Sequence, residues 1–237
     1  MIFTDVSKWN GSIDWSKQVA QGVDGVYIKA TGCGDYGNYT DYKFKEHSES
    51  CPLTYKGAYH FFDYRKPGAD QCKFFLDKVG DFGNLTGMLD LEDNSGSGWA
   101  RLDSMYGKAL QYAMEFVTQY ILEVGHNPGM YLNTGLTRQK DYLGRYIFRN
   151  FTHLPLWVAN YNPITVPPIG AWSKYALWQY TSEGNGYLYG NSVGNKYIDL
   201  NKVNDIYSLV AKPVETPVEL TDSQKLARLW NAHPELH

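Results

Sequence analysis

Lys56-Gly-Ala-Tyr-His-Phe-Phe62, then Gly68-Ala-Asp-Gln-Cys-Lys-Phe-Phe-Leu-Asp-Lys-Val79, then Gly87-Met-Leu-Asp-Leu-Glu92 decide the fold. The first and last are short apolar and aromatic runs that read as strands. The middle stretch has apolar residues at helical spacing and reads as a helix. The same alternation continues in both directions. Upstream, Met1–Val6 reads as a strand, Trp15–Gln21 as a short helix ended by Gly22, and Gly25–Thr31 as a second strand. Downstream, Asp103–Val124 is the clearest helix, with Leu110, Ala113, Met114, Val117, Ile121 and Leu122 on one face and Gly125 as its stop. Four more strands follow at Gly129–Asn133, Leu154–Asn160, Tyr175–Thr181 and Tyr197–Leu200. Helices fill the intervals in the first half and long loops replace them in the second. The pattern predicts an α/β chain folded as a barrel with an incomplete helix ring, and an open doubly wound sheet is the main alternative.

After Leu209 the character changes. Ala211–Leu220 carries Pro213 and Pro217, several charges and no aromatic residue, and reads as a semi-extended linker. Thr221 and Gln224 form a capping-box pattern, Leu226, Leu229 and Trp230 share a helical face, and Pro234 ends the helix. The expected division is therefore a barrel over 1–209, then a linker and short helix over 210–237. A helix this short is marginal alone, so its apolar face needs its own barrel, a second copy in self-association, or a further module beyond it.

Composition narrows the function. With 237 residues, 43% hydrophobic and 20% charged, the chain can bury a full core. A net charge of −3 without any basic run lacks the electrostatic footprint of a nucleic-acid binder. No apolar stretch approaches the roughly 18 residues a membrane span needs. The N-terminus shows no basic and apolar leader, so no signal peptide is expected. Cys33, Cys51 and Cys72 are too few and odd in number for a disulfide framework, which suits a reducing cytosol or export by a route the sequence does not show. Tyrosine, at 20 of 237 residues, leads an aromatic excess. Such rings fill cores, and they also wall sugar clefts, where a face stacks on C–H groups and a hydroxyl reaches an oxygen.

Two motif matches fail on context. Gly32-Cys33-Gly34-Asp35-Tyr36-Gly37 has dinucleotide-site spacing, but Asn38-Tyr39-Thr40 reads as loop where a helix should open. Gly190-Asn191-Ser192-Val193-Gly194 has nucleophile-elbow spacing, yet a strand follows it and the later histidines lie in the tail. No metal-ligand spacing occurs, and no cofactor is expected.

The carboxylates carry more. Asp90 and Glu92 lie two residues apart at a strand end, so they share one face while Leu89 and Leu91 pack on the other. Asp5 ends the first strand and Asp199 lies in the last. Barrel enzymes keep their chemistry at the C-terminal mouth, where these acids fall. Neighbouring carboxylates resist joint ionisation, so one can stay protonated as an acid while the other stays anionic. That equipment suits glycosidic cleavage through an oxocarbenium-like transition state, and the spacing leaves retention and inversion both open.

A family resemblance becomes specific here. Asp5-Val6-Ser7, Asn10-Gly11, Ile13-Asp14-Trp15, Lys29-Ala30-Thr31, Gly57-Ala58-Tyr59-His60-Phe61, Leu89-Asp90-Leu91-Glu92, Trp157-Val158-Ala159-Asn160-Tyr161, Trp178-Gln179-Tyr180 and Ile198-Asp199-Leu200-Asn201 occur in order. Over roughly residues 1–207 they resemble glycoside hydrolase family 25, the muramidases of bacteriophages, bacteria and fungi. The resemblance implies a flattened, irregular (β/α) barrel. It implies hydrolysis of the β-1,4 bond between N-acetylmuramic acid and N-acetylglucosamine in peptidoglycan. It also implies Glu92 as general acid, Asp90 as the carboxylate that stabilises the charged intermediate, and Asp5 and Asp199 as supporting acids. Retention assisted by the substrate's own 2-acetamido group has been discussed for the family. Two departures stand out: Gly32-Cys33-Gly34 replaces the usual Glu-Gly after Lys-Ala-Thr, and Asn160 replaces a small residue.

Strand alternation supplies the candidate walls. Tyr59 and Phe61 share a face, as do Trp157 and Tyr161, while Tyr131 and Gln179 come from matching strands. Lys29 could orient a carboxylate or lactyl group. His60, facing away from Tyr59, reads as structural. A muramidase without a leader fits a phage endolysin that waits in the host cytoplasm and reaches the wall through a separate pore. The rival readings are a catalytically silent sugar-binding barrel and a glucosaminidase or chitinase on a similar barrel.

Overall fold

A computed structural model describes residues 1–92, 99–161, 164–192 and 196–211, with the backbone alone over 99–105. In chain order the elements are β1 (Ile2–Val6), α1 (Trp15–Ala20), β2 (Val23–Gly34), β3 (Gly37–Thr40), α2 (Phe44–Ser50), β4 (Tyr55–Phe61) and α3 (Gly68–Val79). There follow β5 (Met88–Asp90), α4 (Trp99–Val124), β6 (Gly129–Asn133), α5 (Thr134–Arg138), β7 (Leu156–Ala159), β8 (Leu177–Asn185) and β9 (Tyr197–Val203).

The strands run β1-β9-β8-β7-β6-β5-β4-β2 around a ring, and β1 pairs with β2 to close it. That closing pair decides between barrel and open sheet. It is parallel, with Thr4 beside Val26 and Val6 beside Ile28. β3 hangs on β2 as an antiparallel hairpin outside the ring of eight. β9 is antiparallel to both β8 and β1, whereas β2, β4, β5, β6, β7 and β8 follow one another in parallel. Parallel neighbours need a long crossover, which α3 and α4 supply, while an antiparallel pair needs only a turn. Hence the helices crowd one side, and the ring of helices is incomplete.

Two cores result from the alternation of strand faces. Inside the barrel, Tyr27, Tyr59 and Tyr131 pack around Trp157 at ring-centroid distances of 5.2, 6.2 and 5.0 Å. Phe3, Met88 and Leu177 complete that cluster. An eight-stranded barrel is just wide enough to be filled by side chains, so large rings with polar tips suit it. Outside, Leu89, Leu91, Phe62 and Phe75 meet Phe116 and Val117 of α4. His60 belongs to this outer layer. It is fully buried, bonded through Nδ1 to Thr31 Oγ1 at 2.7 Å and through Nε2 to Gln71 Oε1 at 3.0 Å, and burial lowers its pKa to about 4. It is a structural histidine.

Where the sequence reading and the structure differ, long-range pairing is the reason. Asn38-Tyr39-Thr40, which reads as loop, is strand β3, because Thr31 to Gly34 of β2 supply its hydrogen-bond partners. The short helices α2 and α5 carry no strong periodic signal. The β5 strand is three residues long and stops at Asp90, so Glu92 lies just beyond it. Val210 and Ala211 still bond to the barrel, Ala211 N donating to Asn84 O at 3.0 Å. The predicted linker from 212 onward and the helix of Leu226, Leu229 and Trp230 lie outside the described residues.

Candidate active site

One cleft of about 430 Å³ opens at the C-terminal end of the parallel strands. Asp5, Asp90, Glu92 and Asp199 all line it, together with Lys29, Tyr59, Phe61, Tyr131, Trp157, Tyr161 and Gln179. Every candidate acid and wall residue read from the sequence therefore lines this cleft. Strand register explains the convergence. Phe61, Asp90, Tyr131 and Trp157 are successive neighbours across β4, β5, β6 and β7. On the far side Asp5 lies directly opposite Asp199 across the β1–β9 pair.

The two acid pairs are held by different chemistry. Asp5 Oδ2 accepts from Gln179 Nε2 at 3.0 Å and from Asn201 Nδ2 at 2.8 Å. Those amides are themselves fixed: Trp157 Nε1 donates to Asn201 Oδ1 at 2.7 Å, and the Tyr131 and Tyr161 hydroxyls donate to Gln179 Oε1 at 2.9 and 3.0 Å. Burial nevertheless raises the Asp5 carboxyl from near 3.8 to about 6, because desolvating the anion outweighs the hydrogen bonds that favour it. Asp199 is pushed well above the usual carboxylate range, first by burial and then by repulsion from Asp5. The two therefore share protons as a pair.

On the other wall, burial and repulsion from Glu92 push Asp90 well above its ordinary value, and Lys29 pulls it back. Among the described residues, buried Asp90 Oδ1 has no hydrogen-bond partner. Lys29 sits over Phe61 at 4.1 Å from the ring centroid, with Tyr39 and Tyr59 at 5.9 and 6.0 Å. Desolvation lowers its pKa, while Asp90, Asp41 and Glu92 keep it cationic. Glu92 is half-buried and stands nearer the open side than Asp90.

Gln179 and Trp157 play quieter parts than their motif positions suggest. Both are almost fully buried, and their polar groups are spent within the barrel. Tyr161, 58% exposed, forms part of the rim instead. The sequence reading missed Ser7, Lys8, Trp9 and Tyr39 among the lining residues, and Asn201 as the partner of Asp5. Asp5 at the mouth was the available signal for the first three, since residues just after a barrel strand form the rim. Tyr39 was hidden by the misread hairpin. Gly32 admits it, because a Cβ there would lie 2.5 Å from the Tyr39 hydroxyl oxygen. The unusual Gly32-Cys33-Gly34 stretch thus shapes the cleft. Among the described residues no group of three or more His, Cys, Asp or Glu side chains could hold a metal ion.

Comparison with known proteins agrees with the geometry. A family model described as Glycosyl hydrolases family 25 matches residues 4–187. Lysozyme M1 of Streptomyces globisporus is 27% identical over 205 residues, covering 81% of this chain and 66% of that protein. The autolytic lysozyme of Clostridium acetobutylicum is 26% identical over 181 residues, covering 76% and 50%. The chain thus spans from half to about two thirds of the length of these relatives. The crystal structure of the bacterial lysozyme from Streptomyces coelicolor superposes with a TM-score of 0.67 at 23% identity, covering 86% of this chain and 92% of that one. At that identity the likeness speaks to the fold.

Proposed function

The chain belongs to glycosyl hydrolases family 25, and on that premise we propose that it hydrolyses the β-1,4 bond between N-acetylmuramic acid and N-acetylglucosamine in bacterial peptidoglycan. The observation that carries the reading is the meeting of four carboxylates, on or beside three different strands, in one aromatic-walled cleft. A sugar-binding barrel without chemistry has no need to bury Asp5 and Asp90 at the cost of their solvation.

In this reading Glu92, half-buried at the mouth, gives its proton to the glycosidic oxygen as the C1–O bond breaks. Positive charge grows on the sugar ring, and Asp90 beneath it supplies the opposing negative charge. Lys29 opposes the burial and the Glu92 repulsion that favour the neutral form of Asp90, and so helps it carry that charge. The substrate's 2-acetamido oxygen closes on C1, and a water activated by the now anionic Glu92 completes hydrolysis. Asp5, wired to Gln179 and Asn201, and Asp199 opposite it fix the other wall and the orientation of the ring. Tyr59, Phe61 and Tyr131 provide stacking and edge contacts for the sugars.

The decisive experiment digests purified cell wall and identifies the new reducing-end sugar. Muramic acid supports the proposal, whereas glucosamine would move the chain to glucosaminidase or chitinase-type cleavage. No new reducing end would leave the silent sugar-binding barrel.

We also propose the endolysin role: synthesis in a host bacterial cytoplasm, then release to the wall through a separate membrane pore. Cys33, Cys51 and Cys72 are all buried free thiols, the state favoured by a reducing cytosol. Cells producing the protein in their cytoplasm should lyse only after the membrane is opened. Lysis with the membrane intact would overturn this placement.

A further inference from the structure

Beyond the acid pairs, the cleft has a rim made by the turn after β1 and by the β3 hairpin. Lys8 is half-buried, with its ammonium 4.9 Å from the Trp9 ring centroid and 5.9 Å from that of Tyr39. Neither Lys8 nor Lys29 is in an ion pair among the described residues. The Tyr39 ring is therefore near two cations, each 5.9 Å from its centroid. Trp9, on the same rim, is 69% exposed.

This rim is fixed in place. Ser7 N donates to Asn10 Oδ1 at 2.8 Å, and Ser7 Oγ accepts from Trp9 N at 3.3 Å, which closes the turn. Asp41, almost fully buried, accepts from Lys8 N at 3.1 Å and Lys43 N at 3.0 Å, tying the turn to the segment after β3. Asp41 is thereby held by backbone N–H groups and makes no ion pair with the Lys8 ammonium among the described residues. The Lys8 ammonium keeps its own donors for something else.

We propose that Lys8, Trp9 and Tyr39 form a subsite for a carboxylate on the peptide stem that muramic acid carries in the wall. The inference rests on the muramidase reading and extends it to a specificity determinant. The acidic lining disfavours an anion along most of this cleft, and among the described lining residues the cations that attract one are Lys8 and Lys29. Lys29 is deep and engaged with Asp90, as suits a group next to the sugar. Lys8 lies outside it, where only a substituent projecting from the glycan toward solvent would reach. The flanking rings hold the ammonium by cation–π attraction, and Trp9 offers an apolar face to the stem itself.

The test compares soluble glycan strands bearing stems, the same strands stripped by an amidase, and stem-bearing strands with their peptide carboxyls amidated. Stripping leaves the lactyl carboxylate, so the three arms separate stem from lactyl group. For the wild-type protein KM should be about tenfold lower on stem-bearing strands than on either other substrate, as for one charge-assisted hydrogen bond. Lys8→Gln should erase that preference through KM while kcat moves little, and Lys8→Arg should keep it. A Lys8→Gln protein that keeps the preference, or a KM that rises equally on stem-bearing and stripped strands, would overturn the stem assignment. If the wild-type protein cleaves none of the three, the muramidase reading itself fails and takes this subsite with it.

Discussion

The Asp5/Asp199 wall and the Asp90/Glu92 wall face each other across a single cleft, yet they are built on opposite principles. The first is a closed polar network: Trp157, Asn201, Asp5, Gln179, Tyr131 and Tyr161 satisfy one another. The second leaves Asp90 buried, beside a like charge, with Lys29 as its compensation and one oxygen unbonded among the described residues. A satisfied network holds geometry, because every group would lose a bond by moving. An under-satisfied carboxylate holds free energy that a developing positive charge can release. The difference assigns positioning to one wall and chemistry to the other.

The assignment is broken most directly at Glu92. Glu92→Gln keeps the shape but cannot donate a proton, so wall-clearing activity should fall by about 10²–10⁴-fold with the melting temperature almost unchanged. Near wild-type turbidity clearance by that variant would remove Glu92 from the acid role.

Asp90→Asn should be nearly as damaging. It should also shift the basic limb of the pH–rate profile, since the repulsion that couples the two ionisations is gone. A basic limb that stays where it was would mean that the two carboxylates do not act as a pair.

A third prediction sharpens the contrast through stability. Asp5 binds its proton more tightly folded, at about 6, than unfolded, near 3.8. The folded state therefore gains from protonation, and that gain is complete below about pH 4 and lost as pH rises through 6. At about 1.4 kcal/mol per pH unit the loss is on the order of 2–3 kcal/mol. Asp5→Asn should reduce this slope, because the amide oxygen still accepts from Gln179 and Asn201 without titrating, while buried Asp199 and Asp90 keep their share of it. Chemical denaturation at pH 4 and pH 7 measures it, and an identical slope in the variant would contradict the burial argument.

The smallest effect is expected from the tail, because every proposed catalytic residue precedes it. Cutting after Ala211 keeps the bonds that Val210 and Ala211 make to the barrel. The melting temperature should barely move and rates on soluble muropeptides should hold, while activity on whole cells falls if residues from 212 onward serve wall targeting or self-association. Loss of activity on the soluble substrate would show that the barrel is not self-sufficient.

Much of the molecule was legible because local patterns and global fold agree. The helix of α3 matches its sequence reading from Gly68 to Val79, and Trp15, Tyr55 and Gly129 begin their elements within a residue or so of expectation. The acids could be found because a charged residue at the end of an apolar strand needs a reason. Tyr39 could not, since a glycine-rich stretch has no strand signal until a neighbouring strand offers it hydrogen bonds. Asn201 was visible in its motif, but its task was not. Only the closeness of β9 to β1 makes it the partner of Asp5.

By itself the sequence determined the alternation of strands and helices, the face on which each acid lies, and the ordered motifs of the family. These depend on period and spacing along the chain, which short-range geometry fixes. The tertiary structure alone decided that β1 closes on β2, that Asp5 meets Asp199, and that Asp90 is desolvated while Glu92 remains half-exposed. It also decided that Gly32 yields its space to Tyr39 beside Lys8 and Lys29. Those outcomes depend on which groups, distant along the chain, are packed together and on how much water each has lost. Neither quantity is a property of any local stretch of residues.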